Sequence, residues 1–131
     1  MRRAIAFIFL CTTLLALGAG AVWATTLIAC PNVLGTDQCK GTSSGDVMTA
    51  TDANDSIAGL AGRDRINDSA KQDIDTINGG PDDDTIDVRE GNTGLNNRDL
   101  VDCGKGRRDR VFFDEGDDGD KVVRCEIKNP G

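Results

Sequence analysis

The chain has 131 residues, with 15 Lys and Arg against 22 Asp and Glu, a formal net charge of −7 and no histidine. The lack of histidine excludes nucleophilic catalysis by a Ser–His or Cys–His pair, and the acidic balance argues against a nucleic acid as partner. Aromatic residues are few: one Trp, four Phe and no Tyr. The side chains available for a core are therefore small, and bound cations or disulfides are needed to stabilise a fold.

The N-terminus has the features of a secretory signal peptide, which we predict over residues 1–24. Two arginines precede an apolar run over residues 4–22, and Val22-Trp23-Ala24 fits a small-x-small cleavage site. The alternatives are a retained membrane anchor and a cell-surface lipoprotein linked through Cys30, since Leu-Ile-Ala-Cys at that position resembles a lipobox. Cleavage after residue 24 removes Cys11 and leaves four cysteines, an even number suited to an oxidising compartment. We therefore expect a secreted protein with no membrane span after cleavage.

Residues 41–122 contain a repeat in which an aspartate is followed two residues later by a large aliphatic residue. Successive aspartates lie 9, 9, 11, 9, 15, 10 and 11 residues apart. A period of this kind indicates a stacked-repeat architecture. Thr76-Ile77 and Thr85-Ile86 suit short strands, whose alternating side chains would point the aliphatic inward. The eight pairs are Asp46/Met48, Asp55/Ile57, Asp64/Ile66, Asp75/Ile77, Asp84/Ile86, Asp99/Val101, Asp109/Val111 and Asp120/Val122.

Two segments read as well-formed nonapeptides, Gly59-Leu-Ala-Gly-Arg-Asp-Arg-Ile-Asn67 and Gly79-Gly-Pro-Asp-Asp-Asp-Thr-Ile-Asp87. They resemble the haemolysin-type calcium-binding nonapeptide family, also called repeats-in-toxin, whose pattern is G-G-x-G-x-D-x-U-x with U a large aliphatic. The resemblance implies an all-β fold, a right-handed parallel β-roll (a β-solenoid) in which two nonapeptides make one turn and calcium lies between turns. The pattern is degenerate, because the double glycine occurs only at Gly79-Gly80 and the fourth-position glycine only at Gly62. The calcium ligands that the resemblance implies are Asp46, Asp55, Asp64, Asp75, Asp84, Asp99, Asp109 and Asp120.

Calcium is also the cation that such loops suit chemically. It takes six to eight oxygens from carboxylates and carbonyls in tolerant geometry, whereas magnesium requires a tight octahedron. Zinc and copper prefer His or Cys ligands. Two alternatives stay open from the residues alone. Arginines in several loops could pair with the aspartates in place of a cation, or the carboxylates could cap Asp/Asn/Gly turns and bind no ion.

The cysteines lie outside the most regular repeats and are predicted to close the two ends. Residues 25–40 form the predicted N-terminal cap and residues 123–131 the C-terminal cap or tail, because the terminal repeats of a solenoid lack an outer neighbour. Four cysteines allow three pairings, and proximity favours Cys30–Cys39 and Cys103–Cys125. Their separations lack the short Cys-x2–4-Cys spacing of zinc sites.

The expected function is that of a secreted calcium-binding repeat protein, not an enzyme, with a structural or adhesive role and calcium-dependent folding. Its expected partners are calcium ions and cell-surface or matrix components. The alternative is a calcium-independent, disulfide-capped β-solenoid that acts as an extracellular binding module. In that reading the insertion over residues 88–97 is a surface loop that contacts a partner. A hydrolase using paired carboxylates such as Asp82 to Asp84 is a third hypothesis.

Overall fold

The computed structural model describes residues 25–30, 38–68, 73–89, 98–114 and 120–130. The predicted signal peptide, residues 1–24, lies outside the described residues. The strands are β1 (Thr26–Ala29), β2 (Gln38–Lys40), β3 (Asp46–Thr49), β4 (Ser56–Ala58), β5 (Arg65–Asn67), β6 (Thr76–Pro81), β7 (Thr85–Asp87), β8 (Leu100–Lys105), β9 (Arg110–Phe113), β10 (Lys121–Val123) and β11 (Ile127–Pro130).

The described strands alternate between two parallel sheets. The odd-numbered strands form sheet A, in the order β1-β3-β5-β7-β9-β11, and the even-numbered strands form sheet B, in the order β2-β4-β6-β8-β10. Each strand pairs in parallel with the strand two places further along the chain, so the backbone winds as a solenoid. This confirms the predicted all-β solenoid of stacked repeats.

The core is a double stack of aliphatic side chains between the two sheets. Equivalent positions are in register from turn to turn, so Ile66 pairs with Ile86 in sheet A and Ile57 with Ile77 in sheet B. Seven of the eight predicted aliphatics are at most 2 % exposed, and Val122 is partly buried. Burial of each such side chain stabilises the fold by about 1.5–3 kcal/mol. The inward direction predicted for the repeat aliphatics is confirmed.

Both predicted disulfides are present, with Cα–Cα distances of 5.2 Å for Cys30–Cys39 and for Cys103–Cys125. The first links the end of β1 to β2, and the second links β8 to the segment before β11. Two disulfides indicate an oxidising environment. Within the residues described above, no helix is long and apolar enough to cross a membrane.

One boundary differs from the prediction. Val88, predicted to begin a surface loop, is 2 % exposed and packs in the core, and its N–H donates to the Phe112 carbonyl at 2.9 Å. The buried position follows the end of β7, so the solenoid turn continues through it. Residues 90–97 of the predicted loop lie outside the described residues.

Candidate metal sites

The eight repeat aspartates are stacked in two columns, one beside each sheet. Column A contains Asp46, Asp64, Asp84 and Asp109 and precedes or begins the strands of sheet A. Column B contains Asp55, Asp75, Asp99 and Asp120 and precedes the strands of sheet B. All are buried except Asp120, which is partly buried. Because neighbouring strands lie about 4.8 Å apart, each column brings like-charged carboxylates close together.

Hydrogen bonds along the columns hold one oxygen of six of the eight carboxylates. In each bond, the backbone N–H of one aspartate donates to Oδ1 of the equivalent aspartate one turn further along the chain. Each of these bonds orients a carboxylate toward the preceding turn and satisfies the buried backbone N–H of the aspartate there. The N···O distances are 2.8 Å for Asp46–Asp64, Asp64–Asp84 and Asp84–Asp109, 2.6 Å for Asp55–Asp75, 2.8 Å for Asp75–Asp99 and 3.0 Å for Asp99–Asp120.

Column A has a fifth member that the sequence pattern missed. The Asp109 N–H donates to Glu126 Oε2 at 2.9 Å, so Glu126 takes the next position in the column. Its strand continues with Ile127 and Lys128, and Lys128 stands where a repeat aliphatic would be. The acid-x-aliphatic pattern fails there. The available signal was an acidic residue directly before a short strand-like segment.

The second carboxylate oxygen divides seven of the eight column aspartates into two groups. Oδ2 accepts a loop N–H at 2.6 Å from Thr42 in Asp46, at 2.7 Å from Thr51 in Asp55 and at 3.0 Å from Gly106 in Asp109. These carboxylates cap their own loops. In the second group, Oδ2 is buried and accepts no hydrogen bond, which is costly for an ionised group. This group consists of Asp64, Asp75, Asp84 and Asp99.

Burial also changes the protonation of these carboxylates. It is the largest cause that raises the pKa of Asp64 to about 6 and the pKa values of Asp84 and Asp99 to about 7. The N–H bonds along the columns oppose the shift, and neighbouring aspartate charges add to it. Without a counter-charge, these groups are therefore costly to ionise at neutral pH.

The glycines that begin two column A loops leave space where oxygens converge. A Cβ added to Gly59 would lie 2.3 Å from Asp64 Oδ2 and 2.4 Å from the Gly79 carbonyl oxygen. A Cβ added to Gly79 would lie 2.5 Å from Asp84 Oδ2 and 2.5 Å from the Cys103 carbonyl oxygen. Each space thus receives one carboxylate oxygen and one carbonyl oxygen from the next turn. Oxygens of both kinds are the ligands that calcium takes, so these loops fit a hard cation.

In the described part of the chain, no arginine side chain forms an ion pair with the four aspartates whose Oδ2 accepts no hydrogen bond. The arginines that form ion pairs do so with carboxylates outside both columns. Arg107 and Arg108 also donate their backbone N–H groups to Asp83 Oδ1, at 3.0 and 3.1 Å. The ion pairs are Arg63–Asp83, Arg89–Asp87 and Arg124–Asp102.

One loop contains a three-carboxylate cluster, Asp68, Asp73 and Asp75, that could hold a metal ion. One oxygen from each residue lies within 4.8 Å of the other two, and all three residues are buried. Burial, followed by a hydrogen bond that places one proton between Asp68 and Asp75, raises the pKa of Asp75 to about 9. Burial also raises the pKa of Asp73. Asp75 was predicted as a ligand, whereas Asp68 and Asp73 lie outside the predicted set of eight aspartates.

Comparison of the chain with protein-family models, curated proteins and solved structures gave no match. The class of protein is therefore defined by its fold and site. It is a parallel β-solenoid with two disulfides and two columns of buried aspartates. One of its loops carries an acidic cluster that could hold a metal ion.

Proposed function

We propose that this protein is a secreted calcium-binding repeat protein whose folding depends on the ion. The observation that carries the proposal is the set of buried Oδ2 atoms that accept no hydrogen bond, in Asp64, Asp75, Asp84 and Asp99. Ionised carboxylates stacked about one strand spacing apart repel each other in a poorly solvated place. A divalent cation beside them replaces that repulsion with attraction.

Calcium is proposed over other cations because of the donor atoms. The converging atoms at Gly59 and Gly79 are carboxylate and carbonyl oxygens, the chain has no histidine, and four of its cysteines are in disulfides. Zinc and copper would lack their preferred ligands. The resemblance to the repeats-in-toxin nonapeptides supports the same ion.

In this proposal four of the column aspartates have two tasks each. Oδ1 accepts the N–H of the preceding turn and fixes the carboxylate, and Oδ2 binds the ion, which supplies positive charge. The ligands best supported are Asp64, Asp75, Asp84 and Asp99. Asp46, Asp55 and Asp109 are less suited, because loop N–H groups already occupy their Oδ2 atoms. The role of the folded solenoid would be structural or adhesive, at a cell surface or in a matrix.

Calcium would then act as a folding switch between compartments. Sites with affinities of about 0.1–1 mM stay empty in a calcium-poor cytosol and fill at extracellular calcium levels. An ion that binds only the folded state stabilises it by RT ln(1 + [Ca²⁺]/Kd). Folding would therefore follow export.

Far-ultraviolet circular dichroism tests the proposal. The chain, with both disulfides formed, is titrated from chelator to millimolar calcium, with magnesium as the matched control ion. We expect a cooperative gain of strand signal with calcium and not with magnesium. Full strand signal in chelator at neutral pH, unchanged by calcium, would refute the proposal.

A second candidate function, a calcium-independent binding module, is favoured by one surface feature. A groove of about 540 Å³ is lined by four arginines and three aspartates, among others: Arg63, Arg65, Arg108 and Arg110, with Asp64, Asp83 and Asp84. Asp83 already pairs with Arg63, so the other three arginines are the groups that would suit an anionic ligand. Salt-sensitive binding of an acidic polysaccharide, equal in chelator and calcium and lost when Arg65 and Arg110 are changed to Ser, would support this function. Absence of binding would exclude it for that ligand class.

A further inference from the structure

Asp68 occupies a position that is otherwise apolar. In sheet A, the residue that follows a strand donates its N–H to a carbonyl near the end of the next strand of the sheet, one turn further along the chain. Asp68 makes this bond to the Asp87 carbonyl at 2.8 Å. The equivalent residues in the neighbouring turns are Ala50 and Val88, and Val88 is a core residue. Asp68 itself is 0 % exposed. A carboxylate buried between apolar neighbours requires a compensating charge or proton.

Asp73 gives a second, independent indication of a ligand. It is 5 % exposed, and neither of its carboxylate oxygens accepts a hydrogen bond from another residue. Its carboxylate points into the cluster, because an oxygen of Asp73 lies within 4.8 Å of oxygens of both Asp68 and Asp75. Three buried carboxylates thus converge, and one of them accepts no hydrogen bond from another residue.

We propose that Asp68 and Asp73 join Asp75 of column B to form a divalent-cation site of higher charge than the other column sites. This site would bind its ion more tightly than the other column sites do. The three residues can offer three to five oxygens, because Oδ1 of Asp75 already accepts the Asp55 N–H. A column site beside Gly59 or Gly79 brings together one carboxylate and one carbonyl oxygen. Calcium affinity rises with the number of charged ligands. This inference rests on the proposed function only for the identity of the ion.

Counting bound ions tests the site. The chain is dialysed to equilibrium at several calcium concentrations, and bound calcium per chain is measured by atomic emission. Asp73→Asn removes one charged ligand, and Asp68→Ala restores the residue type of the equivalent Ala50. The matched control is Asp52→Asn, which makes the same charge change as Asp73→Asn at an exposed position in the loop one turn earlier. The Asp52 charge acts on Asp73, but its carboxylate is not in the cluster, so this control separates the loss of a ligand from the loss of a nearby charge.

We expect Asp73→Asn and Asp68→Ala each to lose one bound ion, the ion retained at the lowest free calcium, while Asp52→Asn keeps it. In chelator neither variant should unfold at lower urea than the original chain, because each removes a buried charge. An unchanged ion count in both variants would overturn the proposal, since a proton shared by Asp68 and Asp75 would then account for the cluster.

The two proposals fail in distinguishable ways. A chain that keeps its strand signal in chelator but binds one ion, lost in Asp73→Asn, would support this site and refute calcium-dependent folding. A chain that folds only with calcium, and whose ion count is the same in Asp73→Asn and Asp68→Ala, would refute this site and leave the proposed function standing.

Discussion

Replacing Asp84 by Asn separates the charge of a column carboxylate from its hydrogen bond. Asparagine keeps an Oδ1 that can accept the Asp64 N–H, bonded at 2.8 Å in the original chain, and replaces the buried Oδ2 with a neutral donor. The pKa of Asp84 is raised from 3.8 to about 7. At pH 7 its ionisation therefore reduces the free energy of unfolding by about 4 kcal/mol. In chelator we expect Asp84→Asn to be more stable than the original chain by up to that amount.

Calcium should reduce this advantage. An ion that binds only the folded aspartate protein stabilises it by about 1.4 kcal/mol at tenfold excess over its Kd, and by about 4 kcal/mol at thousandfold excess. The difference between the two proteins should therefore shrink with each step in calcium and reverse only at a very large excess.

The assay for Asp84→Asn is urea unfolding followed by circular dichroism, at pH 7 in chelator and at rising calcium, with Asp52→Asn as the exposed control. Where the original chain is unfolded in chelator, the folded fraction without urea gives the same comparison. A less stable Asp84→Asn in chelator would show that the carboxylate charge stabilises the fold without an ion. An advantage that does not change with calcium would show that no ion binds at Asp84. Either result refutes the reasoning.

Three further predictions follow from the same geometry. In chelator, the folded pKa values of about 6 for Asp64 and about 7 for Asp84 and Asp99 exceed the ordinary value of 3.8. The stability that these three groups contribute in their protonated form should thus be fully present below pH 3.8 and be lost as pH rises through 6 and 7. A urea midpoint in chelator that rises over this pH range would contradict this. Gly59→Ala would place a Cβ 2.3 Å from Asp64 Oδ2 and should lower the free energy of unfolding by roughly 1–3 kcal/mol; an unchanged melting temperature would count against the close contact. Leu60 has a φ of 75° and is 45 % exposed, so Leu60→Gly should raise the free energy of unfolding by about 1 kcal/mol, and a lower urea midpoint would show that its side chain stabilises the loop.

The sequence predicted the stacking of the repeats because a parallel solenoid places the same position of each repeat in the same environment. Register pairs such as Ile66 with Ile86 follow from that rule. The pairing Cys30–Cys39 is short in sequence, so proximity was sufficient to predict it. Glu126 was missed because its repeat lacks the aliphatic residue that identifies the others, although its position in the fold is equivalent.

The sequence by itself determined the repeat, the direction of its aliphatic side chains and the approximate position of each aspartate along the stack of turns, because these depend on a local period. Only the tertiary structure decided which carboxylate oxygens are satisfied. Asp46 and Asp64 have the same place in the pattern, yet Thr42 donates to Oδ2 of the first and nothing donates to Oδ2 of the second. Likewise, Asp68 and Asp73 lie outside the repeat pattern, and only the folded structure brings their carboxylates together with that of Asp75. Burial and hydrogen bonding depend on which turn lies next to which loop, and that is set by the folded solenoid.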